Sequence, residues 1–336
     1  MEASRTEPAV TFYRQGDADP NALTGQRVAV IGFGNLGSSM ASNLRDAGVD
    51  VVVGNLDDGY RAAAAAEGFL VTGIAEATAE ADLVYLLIAD EAIPHCFAES
   101  VAPALRRGSA VCFASGYCLA YRLVEVPEGV DVVMLAPRML GEEVRRRVAA
   151  GKGFFSYVSV ERDATGKALT RLLGLAAAAG SLRRGALSLP AVKEATLDLL
   201  VEQTVGPYLG LALQLAFALG VEAGLPPEAM VLELYMSGEM SQVMAAFAKE
   251  GFFRSVTGHG LVATYGGFVR TGAVDDVHMR RMFQEVLDDI RSGGFAAKLQ
   301  AEEAAGYPTL SALEAITAGT DPMSEAEARV RAALGE

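Results

Sequence analysis

The sequence is short of cysteine, of histidine and of positive charge. Three cysteines (Cys96, Cys112, Cys118) form no CxxC or zinc spacing, and their odd number argues against a disulfide framework, so a reduced, cytoplasmic setting is expected. Lys and Arg number 28 against 42 Asp and Glu, a net charge of −14. Such an excess of acid excludes a phosphate-backbone binder, because no surplus cation replaces counterions, and it is a poor match for anionic membranes. The first twenty residues carry acids and no apolar core of a signal peptide. The most apolar run, residues 209–221, is too short to span a bilayer, contains Gln214, and reads as a buried core helix. No internal repeat and no low-complexity tract beyond Ala-rich helices is visible. Most of the acid excess reads as solubility.

In the 336 residues, 51% of them hydrophobic, there is room for about two domains. The first half alternates β-branched runs with Ala-rich helical stretches. Strands are expected over residues 28–33, 50–54, 69–72, 82–89, 110–114, 131–136 and 154–160. Runs such as VAVIGF and LVYLLIA are apolar throughout, as strands buried on both faces should be. The alternation predicts a doubly wound parallel sheet. The strand signal stops near Arg184, and from Pro190 onward the pattern is helical. The division expected is therefore an α/β domain over 1–184 and an all-α domain over 185–336, with a long glycine-rich connection over 251–272.

Gly32-Phe33-Gly34-Asn35-Leu36-Gly37 reads GxGxxG and lies between a strand and a helix, the context that makes this fingerprint specific. The first Gly permits the tight turn, the second a close backbone approach to a pyrophosphate, and the third close helix–strand packing. The helix N-terminus then faces the phosphates. The second strand runs into Asn55-Leu56-Asp57-Asp58-Gly59-Tyr60-Arg61. An acid there bonds the ribose 2′-OH and repels a 2′-phosphate, so Asp57 or Asp58 favours NADH, while Arg61 leaves NADPH open. Glu194, Asp198 and Glu202 recur every four residues and share one helical face. Their mutual repulsion would be offset by a hard cation such as Mg²⁺, or they form a solvated stripe.

Residues 16–54, together with VDVVMLAPR, DATGKAL, KEATLDLLVEQ, EAGLPPEA, ATYGGFVRTG and DDIRSGGFAAKLQAEE, resemble the ketol-acid reductoisomerases of the short bacterial form. The resemblance covers nearly the whole chain. It implies a Rossmann-like domain binding NAD(P)H and a knotted helical domain that interweaves two chains into a homodimer. It also implies a biosynthetic reaction in which two Mg²⁺ ions assist an alkyl migration in a 2-hydroxy-3-keto acid, followed by reduction. Asp198 and Glu202 match the family's first pair of metal ligands. Glu233 matches the first member of the second pair, but Ser237 stands where that pair has its second Glu. Glu239 is no simple substitute, lying about 240° around a continuous helix from Glu233.

Further departures fall on the same chemistry. Ser115-Gly116 replaces the family's His-Gly beside the nicotinamide, Arg138 replaces a Lys, and Met139-Leu140-Gly141-Glu142 replaces a Gly-Pro-Gly-His run. The substrate-gripping serine of the family is replaced around Gly260, next to His259, the best proton donor among the three histidines. Lys193 is matched in the family and could orient a carboxylate or act as an acid. Met236, Met240 and Met244 read as a core stripe, His95 as structural, His278 as surface, and Arg145, Arg146 and Arg147 as a solvated face. The expectation is a reductase of a carbonyl or imine in a small acid-derived substrate, with isomerase activity weakened. A genuine reductoisomerase and a cofactor-binding pseudoenzyme remain the alternatives.

Overall fold

Strand boundaries follow from which residues can be buried on both faces. The computed structural model describes residues 10–256, 260–317 and 321–335. Its strands are β1 (Phe12–Tyr13), β2 (Arg27–Ile31), β3 (Asp50–Gly54), β4 (Leu70–Thr72), β5 (Leu83–Leu86), β6 (Ala110–Phe113), β7 (Asp131–Pro137), β8 (Phe155–Arg162) and β9 (Gly185–Ser188). They make one sheet in the order β1-β9-β8-β7-β6-β5-β2-β3-β4. β2, β5 and β6 are apolar and buried along almost their whole length, as expected where helices cover both faces. The helices that alternate with the strands are α1 (Asn35–Asp46), α2 (Gly59–Ala66), α3 (Ile74–Glu80), α4 (Ile93–Cys96), α5 (Tyr117–Ala120), α6 (Gly141–Ala149) and α7 (Ala168–Ala179).

The stretch β4-β3-β2-β5-β6-β7 is parallel throughout and reverses direction of winding between β2 and β5. That is the dinucleotide-binding order, with its crevice at the carboxyl ends of β2 and β5. The expected doubly wound parallel sheet is present, and it is extended beyond β7. β8 returns antiparallel to β7, β9 runs parallel to β8, and the edge strand β1 is antiparallel to β9. The strands also continue past Arg184 into β9, which Pro190 follows.

Two compact units divide the chain at 197/198, within the helix α8 (Ala191–Gln203). The second unit is helical: α9 (Val205–Glu222), α10 (Pro227–Val231), α11 (Glu239–Glu250), α12 (Phe252–Val256), α13 (Leu261–Thr271), α14 (Asp276–Ser292), α15 (Gly294–Ala304), α16 (Pro308–Thr317) and α17 (Pro322–Leu334). The glycine-rich segment 251–272 is thus not one irregular connection, since α12 and α13 occupy most of it. α10 continues into a wider turn over Leu232–Met236 that stops at Gly238, whose φ is +81°. Met236 is therefore separated from Met240 and Met244, and Glu239 begins a new helix, so neither the methionine stripe nor a continuous-helix angle for Glu239 holds.

The run 209–221 is also not a core helix. Within α9 only Phe217 is buried, and Leu209, Leu211, Leu215 and Leu219 are exposed. Residues Ala191–Glu222 together are long and apolar enough to cross a membrane by length and composition.

The arginines of α6 are not simply solvated. Arg145 binds Asn43 Oδ1 at 2.9 Å and Asp46 at 2.6 Å, tying α6 to α1, and Arg147 donates to the Gly153 carbonyl at 2.9 Å. The cysteines are free thiols. Burial pushes Cys118 up to about 12, with Asp90 and Glu91 adding to the rise, and it raises Cys112 as well. Only thiolate reacts. Native protein treated with iodoacetamide at pH 8 should therefore lose no more than one thiol, the half-buried Cys96, while all three alkylate in urea. Mass spectrometry counts the adducts.

Candidate active site

The phosphate loop is shaped by close approach rather than by side chains. Gly32 has φ +95°, and a Cβ there would strike the Leu87 carbonyl and Ile88. A Cβ at Gly37 would fall on the Gly32 carbonyl oxygen, which is how α1 starts so near β2. Gly34 caps α1 without any side-chain hydrogen bond and has open space where a Cβ would point. The first intrahelical bond is Ser38 N–H to the Gly34 carbonyl, so the amides of Asn35, Leu36 and Gly37 precede the ladder and face the carboxyl edge. This cradle fits a dinucleotide pyrophosphate. Phe33 is buried in the core and Leu36 packs against it, so these two residues offer backbone only.

The two candidate ribose acids lie in different surroundings. Asp58 caps α2, accepting from Tyr60 N at 2.9 Å, Arg61 N at 3.1 Å and Asn55 Nδ2 at 2.8 Å. Asn55 is buried and its Oδ1 accepts the Phe33 N–H at 3.1 Å. Asn55 and Asp58 thus brace the turn after β3 against the glycine loop, and Asp57 beside them is exposed. Losing an N-cap acid costs about 1 kcal/mol. Asp58→Ala should lower stability by that amount in urea unfolding and also weaken NADH binding, because the brace holds the loop.

The second half of the crevice gathers side chains from the ends of β5, β6 and β7. Ser115 donates to Asp90, with both carboxylate oxygens at 2.8 Å. Arg138 follows β7 and donates through Nη2 to Glu194 Oε1 at 2.7 Å, with its guanidinium 5.0 Å from the Tyr157 ring centroid. The other oxygen of Glu194 accepts the Gly116 N–H at 2.6 Å. Glu194 is 0% exposed. A Cβ at Gly116 would meet the Ala191 carbonyl, so only glycine lets α8 dock here. Glu161 Oε1 accepts the Ala191 N–H at 2.8 Å and caps the same helix. The Gly116 amide is therefore engaged by Glu194. Leu140, 80% exposed, follows Arg138, and the neighbouring Gly141 lies directly against the backbone of Asn35 and Leu36.

The acids of the second unit do not converge. Asp198 and Glu202 stay one turn apart on α8, and Glu233 lies in the turn after α10. Among the described residues no group of three His, Cys, Asp or Glu side chains could hold a metal ion. The expected trio Asp198, Glu202 and Glu233 is thus not brought together within one chain. Lys193 is exposed on α8. His95 is exposed and pairs with Glu99 at 3.1 Å, His278 is exposed beside Arg281, and His259 lies outside the described residues. Reading the sequence missed Asp90, Glu161 and the brace role of Glu194. The one available signal was for Asp90, an acid immediately past a fully apolar strand.

Comparison with known families decides what this scaffold is. A model of the acetohydroxy acid isomeroreductase NADPH-binding domain matches residues 22–185, and one of the ketol-acid reductoisomerase C-terminal domain matches residues 192–336. The chain belongs to the ketol-acid reductoisomerase family. It is thereby placed in a family of NAD(P)H-dependent oxidoreductases. Its relatives include the ketol-acid reductoisomerases (NADP(+)) of Pyrobaculum calidifontis, 36% identical over 90% of this chain and 92% of that one, and of Renibacterium salmoninarum, 37% identical over 90% and 89%. The structure of an NADH-preferring ketol-acid reductoisomerase from an uncultured archean superposes with a TM-score of 0.90 at 28% identity, covering 96% of this chain and 98% of that one. In this chain Ser115 follows the carboxyl end of β6, and Arg138 and Leu140 follow that of β7.

Proposed function

We propose that this chain is an NAD(P)H-dependent reductase of a carbonyl or imine in a small acid-derived substrate, with the alkyl-migration half of the family reaction weakened or lost. The observation that carries this is the state of the two half-sites. The phosphate cradle is intact, whereas Ser237 stands where the resemblance places the second Glu of a metal-ligand pair. Migration requires two metals to hold an alkoxide and a carbonyl together. Reduction requires a positioned cofactor, a polarised acceptor and a proton donor. When bound, the dinucleotide supplies the hydride. Arg138, anchored by Glu194, is the cation at this edge, and its planar fork suits a substrate carboxylate. Leu140 adds apolar surface beside the phosphate loop.

The test follows NADH and NADPH oxidation with 2-acetolactate, a 2-keto acid and a cyclic imine, with and without Mg²⁺. Turnover of the keto acid or imine with little on acetolactate is the expected result. Efficient Mg²⁺-dependent turnover of acetolactate would instead make the chain a genuine reductoisomerase, the reading favoured by its identity to named members. Cofactor binding without turnover on the panel would make it a pseudoenzyme. NADH is the cofactor we assign, because an exposed acid just past β3, Asp57, suits a ribose 2′-OH and would repel a 2′-phosphate. Asp57→Ser should shift the ratio of NADPH to NADH affinity by about tenfold toward NADPH.

A second copy of the chain is the partner that fits the exposed apolar residues of α9 and of α13, where Leu261, Val262 and Tyr265 are exposed. A bilayer fits less well, because residues 191–222 carry Glu194, Asp198, Glu202 and Glu222. Light scattering should give a dimer mass in the absence of detergent, and a monomer would overturn this assignment.

A further inference from the structure

The Ser115–Asp90 pair does nothing in the reaction just described, yet its geometry is specific. An ionised carboxylate only accepts hydrogen bonds, so with Ser115 Oγ at 2.8 Å from both Asp90 oxygens the hydroxyl proton is committed to Asp90. Ser115 then presents lone pairs alone. One takes the Tyr117 N–H at 3.3 Å. Asp90 is held in turn, because its carbonyl accepts the Cys118 thiol at 3.5 Å. A hydroxyl polarised by a carboxylate is also a better acceptor than a free one.

The pair sits at the ends of β5 and β6, in the second mononucleotide half of the sheet. The first half carries the glycine loop and the ribose acid, so the second receives the nicotinamide end. The carboxamide NH₂ is the one hydrogen-bond donor on that ring. We propose that Ser115 accepts a hydrogen bond from the carboxamide NH₂ of the bound cofactor, and that Asp90 is the positioning residue that keeps the Ser115 hydroxyl turned to accept rather than donate. The inference rests on the reading of this chain as a nicotinamide-dinucleotide enzyme, and it adds a recognition element for the ring itself. Fixing the carboxamide fixes which face of the ring is turned toward the substrate.

The probe is the 3-acetylpyridine analogue of NADH, in which a methyl group replaces the NH₂. Dissociation constants for NADH and for the analogue are measured by calorimetry on the full-length protein, without substrate. Wild type should bind NADH about tenfold more tightly than the analogue, the size of one charge-assisted hydrogen bond. Ser115→Ala should reduce that preference to within about twofold and leave affinity for the analogue unchanged, which also shows the variant to be folded. Asp90→Asn should do the same, since an amide can donate to Ser115 and turn its proton outward. Ser115→Thr keeps the hydroxyl and should keep the preference. Equal loss of both ligands in the Ala and Asn variants would mean that the pair only shapes the loop, and an unchanged preference would mean that the carboxamide binds elsewhere; either overturns the proposal alone. Failure of wild type to bind either dinucleotide would overturn the underlying functional reading as well.

Discussion

Glu194→Ala should lower the unfolding free energy by about 3–5 kcal/mol, the loss typical when one member of a buried ion pair is removed. In urea this is a fall in midpoint of roughly 1–5 M at slopes of about 1–3 kcal/mol/M. The magnitude follows from what Glu194 holds. Its two oxygens are divided between the Gly116 amide and Arg138, and its side chain is wholly out of solvent. Truncation leaves a buried N–H without its acceptor and removes the ion pair that Glu194 makes with Arg138. It also frees the first turn of α8 from the ends of β6 and β7, leaving Glu161 as the tie at Ala191. Glu194→Gln separates the two roles. The amide oxygen still accepts from Gly116, so the loss should fall to roughly half, while the charge of Glu194 opposite Arg138 is removed. If Glu194→Ala stayed within about 1 kcal/mol of wild type, the docking of α8 would not depend on this carboxylate.

The contrast between the legible and illegible parts of this protein has a physical basis. β2, β3 and β5 to β7 are readable because strands buried on both faces must be apolar along their length. β1 and β9 are not, being two and four residues long and ending the sheet at its edge. The antiparallel return of β8 is a matter of topology, which local pattern does not encode. α12 and α13 were hidden because the glycines flanking them and within α13 suggest a loop, although four of the first five residues of α13 and its Phe268 and Val269 are good packing residues.

The same logic applies to the site. A phosphate loop is a local requirement, met by six consecutive residues, so the sequence discloses it. The roles of Asp90 and Glu194 are set by partners 25, 56 and 78 residues away. Spacing put Glu194 on one helical face with Asp198 and Glu202, but nothing local distinguished the buried brace from its two neighbours. Asp57 and Asp58 were equally good ribose acids until the start of α2 assigned one of them to a cap.

Gly37→Ala should weaken NADH binding about 100-fold, or 2.7 kcal/mol. The added methyl would overlap the Gly32 carbonyl oxygen, and Gly32 cannot retreat, because φ +95° and the Leu87 carbonyl fix its own backbone. α1 must therefore move away from β2. Overpacking of this kind costs about 1–3 kcal/mol of stability. The displaced helix also carries off the amides of Asn35, Leu36 and Gly37, losing hydrogen bonds and the favourable dipole at the pyrophosphate. Two other glycines act as controls. Gly34→Ala meets no atom within 4 Å, so the fold should be unchanged, but its methyl would enter the space left for the ligand and binding should still drop. Gly59→Ala, at the start of α2 with nothing near its Cβ, should alter neither. Calorimetric titration with NADH and urea unfolding of the three variants separate these outcomes. Loss of stability with unchanged affinity in Gly37→Ala would mean that the cofactor does not lie on the N-terminus of α1, and with it would go the assignment of the neighbouring crevice to hydride transfer.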